Sequence, residues 1–175
     1  NFGVVSSFEF RLHPIRPLML AGLLAVPLGP GAADIVRGWR DYVEQAPPDL
    51  ATAVVTALAP PEDFVPPELV GKPVLMVAVG WLGDPADAEE AIAPLRELTA
   101  GGLDLVQPMP YTAFQAMLDA TNPPGNLNYH RGMHLSSFPD DVADAFVENG
   151  REIGSPFTVG VIFRHGGAIA EVAED

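Results

Sequence analysis

Apolar and polar residues alternate along several stretches of the chain, while in other stretches the apolar residues recur every three or four positions. Alternation predicts a half-buried strand, whereas a spacing of three and four predicts the buried face of a helix. The first pattern occurs over residues 2–13, 18–27, 51–59, 73–81 and 103–108, and the second over residues 32–45 and 86–99. From residue 18 onward the predicted order is therefore β-α-β-β-α-β.

This order is the split unit of ferredoxin-like sheets, and its short connections favour antiparallel pairing. We therefore predict an α+β fold in which an antiparallel sheet carries both helices on one face. The opposite face would be left to cover a ligand or a second domain. Extra elements are expected in the remainder: helices at 111–120 and 139–150, an irregular stretch at 122–137, and strands at 156–164 and 168–173.

Prolines and tryptophans refine this outline. Pro14 and Pro17 interrupt any ladder after the first strand, because proline has no N–H to donate. We place a domain boundary there, so that residues 1–17 form the last strand of one domain and a hinge, and residues 18–175 form a second domain that is incomplete at its C-terminal end. Asp84 and Pro85 have the residue types of a helix N-cap and first helical position. Trp39 and Trp81 are expected to anchor the core.

Charge and composition narrow the classes of partner. The 175 residues carry a formal net charge of -14, and Lys72 is the only lysine. Nucleic acid is therefore an unfavourable partner, because phosphate binding needs a basic surface. Anionic membrane surfaces are disfavoured for the same reason, and no apolar run reaches the roughly 18 residues of a membrane span. The absence of cysteine excludes disulfides, thiolate nucleophiles and cysteine-based metal sites.

The densest cluster of polar side chains lies among glycines and prolines in the irregular stretch. Tyr129 could orient or deprotonate a substrate hydroxyl, and Arg131 could hold an anionic group. The alternative is a solvated loop whose tyrosine ring caps the core. His130 and His134 have the i, i+4 spacing of metal ligands, but the accompanying glutamate motif is absent, and we predict no metal site. The cluster consists of Asn126, Asn128, Tyr129, His130, Arg131 and His134.

Three stretches resemble one family. They are Asn-Phe-Gly-Val-Val-Ser-Ser-Phe-Glu-Phe at 1–10, Gln-Pro-Met-Pro-Tyr-Thr-Ala-Phe-Gln at 107–115 with its continuation to Asn-Tyr-His-Arg-Gly at 128–132, and Gly-Gly-Ala-Ile at 166–169. In this order they resemble the berberine-bridge-enzyme-like and vanillyl-alcohol-oxidase family of FAD-linked oxidoreductases. The match departs from the family where His130 and Arg131 replace an aromatic residue and a lysine, and where Glu171 replaces an arginine.

The resemblance implies that the chain is the substrate-binding part of an enzyme that transfers hydride from a small organic substrate to FAD. It places Asn1, Phe2, Gly3, Val4 and Val5 beside the cofactor. It assigns catalysis to Tyr129 and Arg131, and substrate binding to Asn128, Tyr129, His130, Arg131 and His165. The partners it implies are the substrate and the FAD-binding domain of the same protein, without which this chain would hold no flavin.

Two expectations follow from this assignment. Apolar surface left by the absent domain could drive homodimer formation, and the enzyme would be cytoplasmic. The alternative is a free-standing ferredoxin-like module that binds a ligand or partner without flavin. The strand at residues 2–12 distinguishes the two, since it would join the sheet of a complete module but would be a detached arm in a cut enzyme.

Overall fold

The computed structural model of the chain describes residues 3–12, 14–117, 119, 124–125 and 127–166. Its strands and helices follow the hydrophobic pattern closely from residue 19 onward. In chain order they are β1 (Met19–Pro27), α1 (Ala32–Val43), β2 (Leu50–Leu58), β3 (Pro73–Trp81), α2 (Ala88–Leu98), β4 (Leu103–Asp104), β5 (Gln107–Met109), α3 (Tyr111–Ala116), α4 (Asp140–Arg151) and β6 (Gly160–Phe163).

The strands form one six-stranded antiparallel sheet in the order β4-β1-β3-β2-β6, with β5 also paired to β1. Strands β1 and β2 flank β3 along its whole length, so that Leu20 and Leu50 both lie opposite Trp81. The part of this order that reads β4-β1-β3-β2 is the strand order of a ferredoxin-like sheet. The predicted α+β class and the β-α-β-β-α-β unit are therefore confirmed.

Helices α1, α2 and α4 pack on one face of the sheet and enclose the main core. Alternate strand residues point toward them, as the period of two requires. Both tryptophans are buried as predicted, at 1% exposure for Trp39 and 5% for Trp81. The core contains Leu24, Val26, Val36, Trp39, Val54, Leu75, Val77, Val79, Trp81, Ile92, Leu95, Ala143 and Val147, among others.

The opposite face of the sheet is only partly covered. At one end α3 lies over it. The Phe114 ring of α3 and the Met19 side chain come so close to Gly80 on β3 that a Cβ there would contact both. At the other end Val65, from the loop between β2 and β3, packs with Ala59 and Val74. We call the part of this face between α3 and the loop the open face. Its partly exposed residues are Leu23, Ala25, Ala51, Val55, Ala78, Val161 and Phe163. The expectation of helices on a single face thus holds for α1 and α2 but not for α3.

The predicted fourth strand is divided into β4 and β5, and both pair with β1. The break lies opposite Gly22, where the Leu105 N–H donates to the Leu23 carbonyl at 2.9 Å. A Cβ on Gly22 would stand 2.2 Å from the Leu105 oxygen, and its φ of 153° disfavours other residues. Glycine is therefore required at this position because two backbones approach each other closely.

Helix α2 begins later than predicted. Its N-cap is Asp87 and its first residue is Ala88, so the assignment of Asp84 as N-cap and Pro85 as first helical residue is wrong. Instead, Asp84 closes a turn: its side chain accepts a hydrogen bond from the Ala86 N–H at 3.0 Å, and its carbonyl accepts one from the Asp87 N–H at 3.0 Å. Aspartate favours such local turns as readily as helix caps.

The predicted strand at residues 2–13 is also wrong for the part of it that the structure describes. Residues 3–12 carry no strand and are exposed. No β-strand pairing includes them, and alternation alone cannot hold a strand without a neighbour to satisfy its backbone groups. We call residues 3–12 the N-terminal arm. Its apolar side chains remain uncovered, and the rings of Phe8 and Phe10 stack on each other at 5.7 Å.

The outer elements are close to their predicted positions. Helix α4 is shifted by one residue from 139–150, and the strand predicted at 156–164 is shortened to β6. Helix α3 ends at Ala116, and the strand predicted at 168–173 lies outside the described residues. Within the described ranges, no helix combines the length and apolarity that crossing a membrane requires.

Candidate functional site

A cleft of about 580 Å³ opens at the end of the open face, beside β2. Strand β6 ends at Phe163, opposite Ala53, so it does not continue along residues 50–52 of β2. Residues 164–166, which follow β6, are not part of a strand, and the cleft lies between Arg164 and Gly166 on one side and residues 46–48, which follow α1, on the other. Its walls include Ala51, Ala53, Ala78, Phe114, Phe163 and Arg164.

The size of the strand side chains explains why space exists here. Ala51 and Ala53 occupy successive open-face positions on β2, and Ala78 lies opposite Ala53 on β3, so that these alanines leave a shallow floor between two larger side chains. Phe114 reaches this floor from α3, and Phe163 from β6, where it is 63% exposed. The result is an apolar floor between two aromatic rings, which suits a flat hydrophobic ligand.

The floor of the cleft is fixed to the core by a chain of hydrogen bonds. The Trp39 indole N–H donates to the Thr52 hydroxyl at 3.1 Å, and that hydroxyl donates to the Ala78 carbonyl at 2.7 Å. Thr52 lines the cleft, whereas Trp39 is buried on the helix side. Helix α1 and the two strands beneath the cleft are therefore held in one arrangement.

Arg164 supplies the charge at the cleft. Its Nη2 donates to the Glu44 carbonyl oxygen at 3.3 Å. Glu44 is the C-cap of α1, where carbonyl groups without helical partners carry partial negative charge and favour a nearby cation. This contact joins residues 120 positions apart in sequence, which is why no local pattern predicts it.

The predicted catalytic and substrate residues lie in the irregular stretch and after β6, and all of them are exposed. Asn128, Tyr129, His130 and Arg131 are not among the residues that line the cleft. Tyr129 is 87% exposed, so its ring does not cap the core. The roles assigned to these four residues stay predictions.

One contact does bring the two predicted segments together. The rings of His134 and His165 lie 5.7 Å apart at an angle of 49°. His165 directly follows Arg164, so the irregular stretch passes close to the cleft at His134. Among the described residues, no group of three or more histidine, aspartate or glutamate side chains could hold a metal ion.

The predicted cofactor residues fall in or before the N-terminal arm. Asn1 and Phe2 lie outside the described residues, while Gly3, Val4 and Val5 are exposed. A Cβ on Gly3 would meet no atom of the described structure within 4 Å, so the described contacts do not require glycine at this position. The close approach to a cofactor that the resemblance implies for this glycine stays a prediction.

An ionic network fixes the far end of the irregular stretch on α1. Arg40 Nη1 donates to the Phe138 carbonyl at 3.0 Å and to Asp140 Oδ1 at 2.7 Å. The hydrogen bond from Arg40 holds the pKa of the Asp140 carboxyl below its ordinary value. Desolvation opposes this effect, and the positive charges of Arg40 and Arg37 reinforce it. Arg37 also pairs with Asp34 and Asp144. The acidic first turn of α4 is thus paired with the arginines of α1.

A smaller cleft of about 380 Å³ lies on the β1 side of the sheet, between the start of β1 and the start of α2. Its walls are mainly apolar and include Leu18, Trp81 and Pro85, with Glu89 at the rim. The Trp81 indole N–H donates to the Asp84 carbonyl at 2.7 Å, and Arg16 pairs with the Asp84 carboxylate at 3.1 Å. These contacts close the turn before α2 and attach residue 16, which follows the N-terminal arm, to it.

Comparisons with known proteins do not establish a family. No protein-family model matches the chain, and no curated protein matches it. Among solved structures, the chain is similar to 6-hydroxy-D-nicotine oxidase from Arthrobacter nicotinovorans, with 21% sequence identity and a TM-score of 0.47. The match covers 64% of this chain and 23% of that chain, so this chain corresponds to less than a quarter of the oxidase. A likeness of this degree establishes neither a shared family nor a shared activity.

Proposed function

We propose that this chain is the substrate-binding part of an FAD-dependent oxidoreductase that transfers hydride from a small organic substrate to the flavin. The observation that carries the proposal is the open face, a surface of small and apolar side chains that α1, α2 and α4 leave uncovered. Such a face is unusual for a finished domain, since a sheet normally buries its apolar faces. The three stretches that resemble FAD-linked oxidoreductases in sequence add to it.

The apolar character of the open face supports the proposal that it covers a flavin ring. Outside the cleft, Ala25, Met76 and Val55 lie side by side across β1, β3 and β2 and present a partly exposed apolar surface, and the cleft opens beside it at Ala51 and Ala78. When bound, FAD supplies the redox chemistry by accepting hydride, and the protein contributes orientation, electrostatics and exclusion of water. Under this proposal the open face covers one side of the ring, and the exposed Tyr129 and Arg131 are available to the substrate.

The N-terminal arm supports the same proposal. Val4, Phe8, Phe10 and Leu12 are each more than half exposed although they are large and apolar. Uncovered apolar side chains in such a row mark an interaction surface. A detached arm is the arrangement expected when residues 1–17 belong to a neighbouring FAD-binding domain, which we propose as the partner of this chain.

The visible absorption spectrum tests the proposal. The 175-residue chain and the longest protein that its gene encodes would be purified without added flavin, and their spectra compared before and after addition of FAD. We expect the flavin bands in the longer protein alone. If the longer protein is colourless and FAD changes neither spectrum, the proposed function is wrong.

The second candidate is a free-standing ferredoxin-like module that binds a ligand without flavin. The observation in its favour is that the core closes without help, since Trp39, Leu75, Ile92 and Leu95 are almost fully buried within this chain. The same spectra decide between the candidates, because a module without flavin would bind its ligand while the longer protein stays colourless.

A further inference from the structure

The cleft beside β2 carries its own information about the ligand. Its volume of about 580 Å³ falls within the range of roughly 300 to 1,000 Å³ that is common for small-molecule sites. The floor at Ala51, Ala53 and Ala78 is apolar, and Phe114 and Phe163 stand at its sides. A ligand that fills it would therefore be a compact molecule with an apolar ring system.

The polar groups of the cleft are few, which makes the position of each one informative. The Thr52 hydroxyl already accepts from Trp39 and donates to Ala78, so it is engaged within the protein. Arg164 is the charged residue in the cleft lining. One of its N–H groups donates to the Glu44 carbonyl, and a guanidinium has five such donors in a planar fork. A carboxylate could accept from two of the others at once.

The charge of the chain as a whole makes this placement selective. With a net charge of -14, the protein repels anions at long range, so an anion is retained only where a cation is built into the site. Arg164 is held at the cleft by the C-terminal end of α1, which is itself a favourable position for a cation. No acidic side chain is among the described residues that line the cleft, so none competes with a bound anion for the guanidinium.

We propose that this cleft is a binding site for an apolar, ring-containing organic anion, whose rings lie on the alanine floor between Phe114 and Phe163 and whose carboxylate pairs with Arg164. That this anion is the substrate of the oxidoreductase rests on the proposed function. The binding site itself does not, because it is formed by residues of this chain alone. Arg164 thereby determines specificity for the charged end of the ligand.

Calorimetric titration of the 175-residue chain with 2-naphthoate and with 2-naphthamide tests this inference without flavin. The two probes share their rings and differ in charge. We expect naphthoate to bind about tenfold more tightly, the factor that corresponds to roughly 1.4 kcal/mol. Arg164→Gln should remove this difference by weakening naphthoate alone. Added salt should also weaken naphthoate more than naphthamide.

Two further variants separate specific effects from general ones. Arg151→Gln is the matched control, since Arg151 is also an exposed arginine whose Nη2 donates to a backbone carbonyl, that of Gly29 at 3.2 Å. It should leave both affinities unchanged. Ala51→Phe, at an exposed position on the cleft floor, should weaken both probes if the rings lie there. Circular dichroism identifies any variant that fails to fold.

The inference is overturned if neither probe binds, if naphthoate binds no better than naphthamide, or if Arg164→Gln and Arg151→Gln have equal effects. Its failure is distinct from failure of the proposed function. If naphthoate binding depends on Arg164 but the longer protein lacks flavin, the anion-binding site is supported and the proposed oxidoreductase function is wrong. If the longer protein contains flavin but Arg164→Gln leaves its naphthoate affinity unchanged, the oxidoreductase function is supported and the anion-binding site is wrong.

Discussion

Replacing Trp39 with phenylalanine tests how α1 is held against the sheet beneath the cleft. Trp39 is 1% exposed, donates to Thr52 at 3.1 Å and packs edge-on against Phe138. Truncating a buried tryptophan to alanine costs about 3 to 5 kcal/mol, and a phenyl ring should retain roughly half of that packing. Loss of the hydrogen bond adds about 1 kcal/mol. The variant should therefore be about 3 kcal/mol less stable.

The assay is unfolding in urea followed by far-ultraviolet circular dichroism, together with a thermal melt. For a chain of this size, 3 kcal/mol corresponds to a midpoint lowered by about 6 to 12 °C. Thr52→Val is the partner variant because it removes the acceptor at similar volume, and the double variant should reveal a coupling of about 0.5 to 1.5 kcal/mol. A loss below about 0.5 kcal/mol for Trp39→Phe, the size of an ordinary surface substitution, would refute this account of the core.

Three other substitutions test separate features. Gly22→Ala should destabilise the fold far more than Gly29→Ala, since a Cβ at residue 22 would lie 2.2 Å from a carbonyl oxygen whereas the nearest atom to a Cβ at residue 29 would be 4.0 Å away. Equal unfolding midpoints would contradict the close approach of β1 to the break between β4 and β5. Asp140→Asn should lower the stability of the fold at neutral pH and make that stability less dependent on acid. The pKa of Asp140 is lower in the folded protein than in the unfolded chain. The ionised carboxylate therefore stabilises the fold above the unfolded pKa of about 3.9, and this stabilisation is lost as the pH falls through the folded pKa. Melts at a series of pH values measure this, and parallel curves for variant and parent would contradict it. Deleting residues 1–12 should leave the melting midpoint nearly unchanged, because the described part of the arm is exposed; a large decrease would show that the arm supports the fold.

Hydrophobic periodicity was sufficient to predict the central unit of the fold. The strands at 18–27, 51–59 and 73–81 and the helix at 32–45 lie within two residues of their observed bounds, because each buries one face and its sequence must alternate accordingly. The same pattern misplaced the N-terminal arm as a strand. Alternation specifies which side chains could share a face, but a strand also needs a partner for its backbone groups.

Sequence reasoning and the structure point to different residues as a candidate site, for a related reason. Tyr129, His130 and Arg131 stood out because polar residues cluster there in the sequence, yet they do not line the cleft. The cleft is lined by Ala51, Phe114 and Arg164, which are far apart along the chain and carry no local motif. Only the pairing of β2 with β6 and the position of α3 bring them together.

The sequence by itself thus determined the α+β class, the order of the elements and the burial of Trp39 and Trp81, because these depend on local period and side-chain size. Tertiary structure alone decided which face α3 covers, where β6 stops along β2, and that Arg164 meets the C-terminal end of α1. These features depend on contacts between distant segments, and no local property of the chain encodes where two such segments meet.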